Sequence, residues 1–79
     1  MPQWEYCTLS SDETFLYYQT YQTDGLHTTS KPFNTQLWAS CIALLGTLGW
    51  EAVGATPVEN GLAWHFKRMF DPANGTLQL

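Results

Sequence analysis

Positive charge is scarce in this sequence. Its basic residues are Lys31, Lys67 and Arg68, against seven Asp and Glu, and the formal net charge is −4. Proteins that hold a nucleic-acid backbone need clustered Lys and Arg, because every phosphate carries negative charge. Aromatic side chains on a sheet can stack with single-stranded bases, but without a basic groove nothing attracts the strand. We therefore expect no nucleic-acid partner.

Cysteine and histidine are equally few. Cys7 and Cys41 have neither CxxC nor metal-ligand spacing, and neither His27 nor His65 has a ligand-type neighbour at a suitable spacing. We expect two free thiols in a reducing compartment, no metal and no cofactor. Cys7 could approach His65 if their strands adjoin, but a catalytic pair is the weaker interpretation. No catalytic residue is predicted, and the protein is not expected to be an enzyme.

Long apolar runs are absent as well. None approaches the roughly 20 residues that cross a bilayer, so no membrane partner is expected. Residues 1–5 lack the basic segment and apolar core of a signal peptide. These absences predict a cytoplasmic protein, in which Asn74-Gly75-Thr76 is a chance match to a glycosylation acceptor.

Aromatic side chains are what the sequence has in quantity. It contains four Trp, four Tyr and four Phe in 79 residues. Each buries roughly 150–250 Å² when it enters a core, which helps so short a chain to fold. One helix and one sheet have too little inner surface to hide all of them. We therefore expect some aromatic residues on an outer face, where they invite a partner.

A helix is predicted to begin after Asn34 and to end between Leu45 and Leu48. Asn34 is a good N-cap, and Phe33 and Trp38 stand at the two positions of a hydrophobic staple. Gly46 and Gly49 are predicted to take the left-handed conformation that ends helices. The predicted buried stripe comprises Leu37, Cys41, Leu44, Leu45 and Leu48, widened by Trp38 and Ile42.

Strands are predicted on both sides of this helix. Residues 4–9 form a first strand with Trp4, Tyr6 and Thr8 on one face, and residues 14–23 fold back as a second. Turn-type residues at 24–32 predict a loop. A second hairpin is predicted from residues 50–58 and 62–70, around a two-residue type I′ turn at Asn60-Gly61.

The second hairpin has apolar residues on both faces. Its predicted turn sets Glu59 opposite Leu62 and Pro57 opposite Trp64, and Pro57 predicts an edge strand. One face carries Trp64 and Phe66, and the other carries Ala52, Gly54 and His65. The small residues favour a helix over the second face, although the opposite assignment remains open. Glu51 is expected to pair with Arg68 diagonally across the hairpin.

Three stretches resemble a known family. Trp4-Glu5-Tyr6 opens the first strand, Leu45-Gly46 is followed after two residues by Gly49-Trp50-Glu51, and Lys67-Arg68 closes the last strand. This order is similar to that of a small bacterial family catalogued as domain of unknown function 4177, over the first strand and residues 36–68. The resemblance implies a fold, and it implies no activity or functional residue.

The predicted architecture is a single α+β domain at residues 1–70 with a C-terminal tail at 71–79. A β-β-α-β-β chain forms a four-stranded antiparallel sheet in the order second, first, fourth, third, with the helix packed on one face. The crossover through the helix keeps the usual right-handed connection.

The predicted function is a non-enzymatic interaction module that forms a homo-oligomer through an exposed sheet face or edge strand. The expected contact residues are Tyr17, Tyr21, Trp64 and Phe66. If that face is the outer one, Phe66→Glu should dissociate the assembly without unfolding it. The alternative is a small-molecule binding protein for a metabolite or nucleotide, with a groove lined by Tyr17, Tyr21 and Trp64.

Overall fold

One antiparallel sheet and one helix make up the described part of the chain. The computed structural model describes residues 3–22, 24–71, 73 and 77. The elements in chain order are β1 (Trp4–Ser11), β2 (Phe15–Gln22), β3 (Gly25–Pro32), α1 (Thr35–Thr47), β4 (Glu51–Val58) and β5 (Gly61–Met69). The strands lie in the order β3-β2-β1-β5-β4, and each pairs antiparallel with its neighbours. The predicted α+β class is confirmed, but the sheet has five strands and not four.

The fifth strand is the segment that was predicted to be a loop. β3 pairs with β2 without interruption, from Phe15 opposite Pro32 to Gln22 opposite Gly25. All eight of its residues are exposed. An edge strand with no buried face has no reason to alternate apolar and polar residues, so the pattern that identifies strands is missing here. The predicted order of the other four strands is confirmed, and Pro57 does lie in the edge strand β4.

The helix begins as its sequence predicts. The Asn34 side chain accepts hydrogen bonds from the backbone N–H groups of Gln36 and Leu37, at 2.8 and 3.2 Å. The rings of Phe33 and Trp38 lie 6.5 Å apart, as a hydrophobic staple requires. The helix ends at Thr47 within the predicted range, and Gly49 has the predicted positive φ, at +89°. Gly46 remains helical, so the second predicted left-handed glycine is wrong.

The buried stripe of α1 is narrower than predicted. Cys41 and Leu45 are fully buried, and Leu37, Trp38, Ile42 and Leu48 pack around them. Leu44, by contrast, is 48% exposed. At 100° per residue, Leu37 lies at one edge of the buried arc and Ile42 at the other, with Cys41 between them. Leu44 falls about 20° outside the Leu37 edge.

The β4–β5 hairpin is shifted from its predicted register. Val58 pairs with Gly61 and Pro57 with Leu62, so Glu59 and Asn60 form the turn. Asn60 has the positive φ, at 61°, and Gly61 does not. Glycine is needed at position 61 for a different reason, because a Cβ there would collide with the carbonyl oxygen of Ser11. The predicted Asn60-Gly61 turn is therefore wrong by one residue.

The core lies between α1 and one face of the sheet. The fully buried side chains of β1, β2 and α1 are Cys7, Leu9, Leu16, Cys41 and Leu45, and Tyr18, Trp50 and Phe66 join them. The helix therefore covers the face that carries Trp64 and Phe66. The favoured placement of the helix over the face with Ala52, Gly54 and His65 is wrong, and the alternative is the one observed. Leu77, from the predicted tail, is also buried in this cluster. The glycosylation-type triplet at 74–76 lies outside the described residues.

Candidate functional site

The candidate site is the outer face of the sheet, defined here as the strand side chains that point away from α1. Successive residues of a strand alternate between faces, so the neighbours of buried Cys7 and Leu9 on β1 point outward. The large apolar residues of this face are between 40% and 56% exposed; they are Trp4, Tyr6, Phe15, Tyr21, Leu26, Val53, Val58 and Met69. The prediction that aromatic residues lie outside is confirmed, since six of the chain's twelve are exposed and three are buried.

Few charged groups interrupt this surface. Among the strand residues of the outer face, the charged ones are Glu51 and Lys67, which stand opposite each other on β4 and β5. The Lys67 ammonium lies 4.7 Å from the centre of the Trp4 ring, at cation–π distance. The strand residues of the outer face thus carry no net charge, although the whole chain carries −4.

A row of polar side chains crosses the middle of the outer face. His65 Nε2 lies 3.0 Å from Thr56 Oγ1, and His65 Nδ1 lies 3.4 Å from Thr8 Oγ1. Thr8 Oγ1 in turn lies 3.5 Å from Tyr21 Oη. The row runs from β4 across β5 and β1 to β2. Because its members partner one another, these polar groups can be covered by an apolar surface without losing hydrogen bonds.

The geometry separates Cys7 from His65. Their strands do adjoin, but Cys7 stands opposite Phe66 while His65 stands opposite Thr8. The thiol therefore points into the core and the imidazole points to the outer face. Burial raises the pKa of the Cys7 thiol from its usual value near 9 to about 12. A thiol that stays protonated at neutral pH, on the other side of the sheet from the base, is not an activated nucleophile.

The rim of the outer face contains one well-anchored carboxylate. Asp12, in the β1–β2 turn, accepts hydrogen bonds from the backbone N–H groups of Thr14 and Phe15, at 2.7 and 2.6 Å. It also accepts one from the Tyr17 hydroxyl at 3.2 Å. These hydrogen bonds lower the pKa of the Asp12 carboxyl. Asp12 thus fixes both the turn and the orientation of Tyr17.

Two grooves border the outer face. The first has a volume of about 430 Å³ and lies over the polar row, bounded by Tyr6, Thr8, Tyr21, Val53 and His65. The second, of about 690 Å³, lies where β1 and β2 separate. Their ladder ends at the Cys7–Thr20 pair, while β1 continues beside β5 and β2 continues beside β3. We call this second opening the fork groove; its aromatic lining comprises Trp4, Tyr6, Tyr21, Trp50 and Phe70.

The residues predicted to form the contact face do not lie together. Tyr17 and Tyr21 are on the outer face, but Trp64 and Phe66 are on the face under α1. The predicted groove that combined Tyr17, Tyr21 and Trp64 is therefore not formed. Phe66 is 4% exposed, so Phe66→Glu would disrupt the core and cannot test the interface.

Two exposed aromatic residues of the outer face, Trp4 and Tyr6, were not among the predicted contact residues, although the sequence contained a signal for them. The alternation of β1 predicted that Trp4 and Tyr6 lie on the other face of the strand from Cys7 and Leu9, and that pattern is confirmed. Once Cys7 is placed in the core, the same alternation assigns Trp4 and Tyr6 to the outer face.

Residues from the three stretches that resemble the family form one cluster on the inner face of the sheet, next to the C-terminal end of α1. The Arg68 guanidinium forms an ion pair with Glu5 and donates a hydrogen bond to the Leu48 carbonyl oxygen at 2.6 Å. It also lies 4.2 Å from the centre of the Trp50 ring. The predicted Glu51–Arg68 pair is wrong, because Glu51 stands opposite Lys67 on the outer face. These motif residues hold the end of the helix against the sheet.

Comparisons with known proteins found no relative of this chain. No protein-family model, curated protein or solved structure matches the chain. Within the described part of the chain, no three His, Cys, Asp or Glu side chains are grouped closely enough to hold a metal ion. In that same part, the single helix is too short to cross a membrane.

Proposed function

We propose that this protein is a non-enzymatic interaction module that forms a homo-oligomer by packing the outer faces of two sheets against each other. The observation that carries the proposal is the half-exposed apolar surface on the outer face, which includes Trp4, Tyr6, Phe15 and Tyr21. Removing such surface from water is favourable by roughly 25 cal/mol per Å². Large exposed apolar patches commonly mark contact sites.

The size of the outer face suits a dimer. Strands about 4.8 Å apart and rising about 3.3 Å per residue give a five-stranded sheet of eight-residue strands a face of roughly 600 Å². Two such faces in contact would bury roughly 1,200 Å², which is at the lower end of stable protein interfaces. Sheets packed face to face in this way form an aligned sandwich.

The charge pattern favours a second copy as the partner. Glu51 and Lys67 balance each other, so the strand residues of two outer faces can meet without net repulsion. A strongly acidic or basic partner would find little on this face to pair with. A symmetric contact between identical faces is also the commonest form of oligomer.

The experiment compares two acidic substitutions on β2. Tyr21→Glu places a carboxylate in the outer face, and Gln22→Glu adds the same charge one residue further along, outside that face. Sedimentation over a range of concentrations should show the same oligomer for the unmodified protein and for Gln22→Glu, and a smaller species for Tyr21→Glu. Phe15→Glu, at the other end of β2, should repeat the result. Circular dichroism verifies that each variant is folded.

Two outcomes would overturn the proposal. One is an unmodified protein that stays monomeric at high micromolar concentration. The other is equal dissociation by Gln22→Glu and Tyr21→Glu, because the effect would then come from net charge and not from the outer face.

A second candidate function rests on the fork groove. Its volume of about 690 Å³ lies within the usual range of ligand sites, roughly 300–1,000 Å³, and aromatic rings line it. A small planar metabolite or a nucleotide could stack there on Trp4 or Tyr21. A thermal-shift series with nucleotides and aromatic metabolites tests this, with Trp4→Ala as the variant that should lose the response. A melting temperature that no compound in the panel changes would count against it.

Membership of the family of domain of unknown function 4177 is part of the same proposal. It is supported by the convergence of Glu5, Trp50 and Arg68, one from each of the three resembling stretches, on a single cluster. A reducing, cytoplasmic location is likewise proposed, and the two buried free thiols fit it.

A further inference from the structure

The two edges of the sheet differ in how they resist pairing with another strand. β4 has a bulge between Ala52 and Gly54, and it contains Pro57. Bulges and prolines are devices that keep edge strands from adding a neighbour. β3 pairs with β2 residue by residue over its whole length and has a proline only at its last position, Pro32. β3 is therefore the less protected edge.

The hydrogen bonds beside β3 show which of its backbone groups face outward. The N–H of Phe33 donates to the carbonyl oxygen of Thr14 at 2.9 Å, just beyond the Phe15–Pro32 pair. Hydrogen-bonded pairs alternate along an antiparallel ladder, so odd-numbered β3 residues bond to β2. The even-numbered residues Leu26, Thr28 and Ser30 consequently direct their N–H and C=O groups away from the sheet. Pro32 belongs to this outward set, where its missing N–H costs the β2 ladder nothing.

We infer that β3 pairs antiparallel with β3 of a second copy, about a two-fold axis at Thr28. In this register Thr28 stands opposite Thr28 of the copy, and Leu26 stands opposite Ser30. All three residues present their outward N–H and C=O groups to each other, as a hydrogen-bonded ladder requires. Lys31 stands opposite Gly25, so no like charges meet.

Neighbouring registers are poorer. The outward N–H and C=O groups belong to every second residue of β3. Sliding one copy of β3 along the other therefore keeps these groups paired only when the register changes by two residues. A shift in one direction brings Lys31 opposite His27 and Pro32 opposite Leu26, where the proline has no N–H to donate. A shift in the other direction shortens the overlap of the two strands. The self-complementary register at Thr28 is therefore the favoured one.

This edge contact is separate from the proposed face contact. It would join two sheets of five strands into one continuous sheet, and both outer faces would lie on the same side of it. A module with both contacts can assemble beyond a dimer, since edge-paired copies still offer their outer faces. The edge contact can also exist alone, so failure of either contact leaves the other to be tested.

Cysteine cross-linking tests the register directly. Residues opposite each other in a hydrogen-bonded pair have Cα atoms about 5.5 Å apart, within reach of a disulfide. Thr28→Cys should therefore cross-link to itself under mild oxidation of the folded protein. Leu26→Cys alone should not, because the two copies of position 26 are about 13 Å apart in this register. A mixture of Leu26→Cys and Ser30→Cys should form the mixed dimer.

The native thiols provide little background, because Cys7 and Cys41 are each 1% exposed. Repeating the experiment in Tyr21→Glu separates the two contacts. Cross-linking of Thr28→Cys that persists there, while the face contact is lost, supports the edge pairing. Cross-linking that disappears in Tyr21→Glu, or that is equal for Thr28→Cys and Leu26→Cys, overturns it. So does absence of cross-linking in both Thr28→Cys and the mixed pair.

Discussion

The two faces of the sheet come from the same alternating strands but differ in what covers them. On the inner face Cys7, Leu9, Leu16 and Tyr18 are buried, and the outer face leaves Trp4 and Tyr21 about half exposed. A helix is about 10 Å wide, whereas five strands, each occupying about 4.8 Å, span roughly 24 Å. One helix therefore cannot cover even one face completely. Whether a residue is buried here depends on its face and strand more than on its hydrophobicity.

The largest expected effect comes from the charged cluster on the inner face. Arg68→Ala would leave the Glu5 carboxylate without its ion-pair partner and remove the contacts to Trp50 and to the Leu48 carbonyl. Breaking a buried pair in this way costs about 3–5 kcal/mol. Urea unfolding measures the free energy of unfolding for both proteins.

The control for this prediction is the adjacent residue on the opposite face. Lys67 lies over the Trp4 ring at the surface, so Lys67→Ala should cost at most about 1 kcal/mol. Equal losses for Lys67→Ala and Arg68→Ala would show that the two faces do not differ in the way proposed.

The second prediction compares two neighbouring leucines of α1. Leu45 is completely buried against the sheet, and Leu44 is 48% exposed. Leu45→Ala should lower the free energy of unfolding by about 2–5 kcal/mol, because it leaves a cavity in the core. Leu44→Ala makes the same chemical change at the surface and should cost less than about 1 kcal/mol. Thermal and urea unfolding of the two variants measure these losses. A larger loss of unfolding free energy for Leu44→Ala than for Leu45→Ala would contradict the observed orientation of the helix.

The helix shows which parts of the fold the sequence could predict and which it could not. The helix start was specified by local chemistry, namely the cap at Asn34 and the staple of Phe33 with Trp38, and local chemistry is visible in sequence. Which side of a seven-residue stripe is buried depends on how the helix lies on the sheet. That is a tertiary property, and it placed Leu44 at the surface.

The remaining misses have the same origin. β3 could not be recognised, because an edge strand exposed on both faces shows no alternation. Gly61 resembled a turn glycine, but its requirement is close approach to the Ser11 backbone, which involves a distant strand. The predicted contact face placed Tyr21 and Phe66 together, but Tyr21 is on the outer face and Phe66 is on the inner face. The alternation within each strand can be recognised from the sequence. Which residues of two different strands share a face depends on how the strands pair.

The third prediction concerns the pH dependence of stability through Cys7. Burial raises the pKa of this thiol from its usual value near 9 to about 12, so the folded protein keeps a proton that the unfolded chain loses. Between those two pH values the free energy of unfolding should fall with rising pH, by up to about 1.4 kcal/mol per unit from this group. Below pH 9 both states are protonated and the contribution is constant.

Cys7→Ala removes this contribution and also reduces the part that Tyr18 adds, because the Cys7 thiol is one cause of the raised pKa of Tyr18. Burial also raises the pKa values of Cys41 and Tyr18, and these groups add alkaline slope in both proteins. Urea unfolding at several pH values from 8.5 to 11 should therefore give a shallower fall for Cys7→Ala than for the unmodified protein. Parallel lines would mean that Cys7 is less protected from solvent than the inner face implies.

The smallest expected effect on the protomer is a substitution on the outer face. Tyr6 is half exposed, and Tyr6→Thr replaces an aromatic residue with a β-branched one, which also favours strands, so the monomer should lose less than about 1 kcal/mol. The effect should appear instead in the concentration dependence of melting. An oligomer that forms only from folded chains raises the melting temperature as concentration rises. The unmodified protein should show that rise, and Tyr6→Thr should reduce it. If Tyr6→Thr instead destabilises the dilute protein as strongly as Leu45→Ala, the outer face is part of the core and not a surface for a second copy.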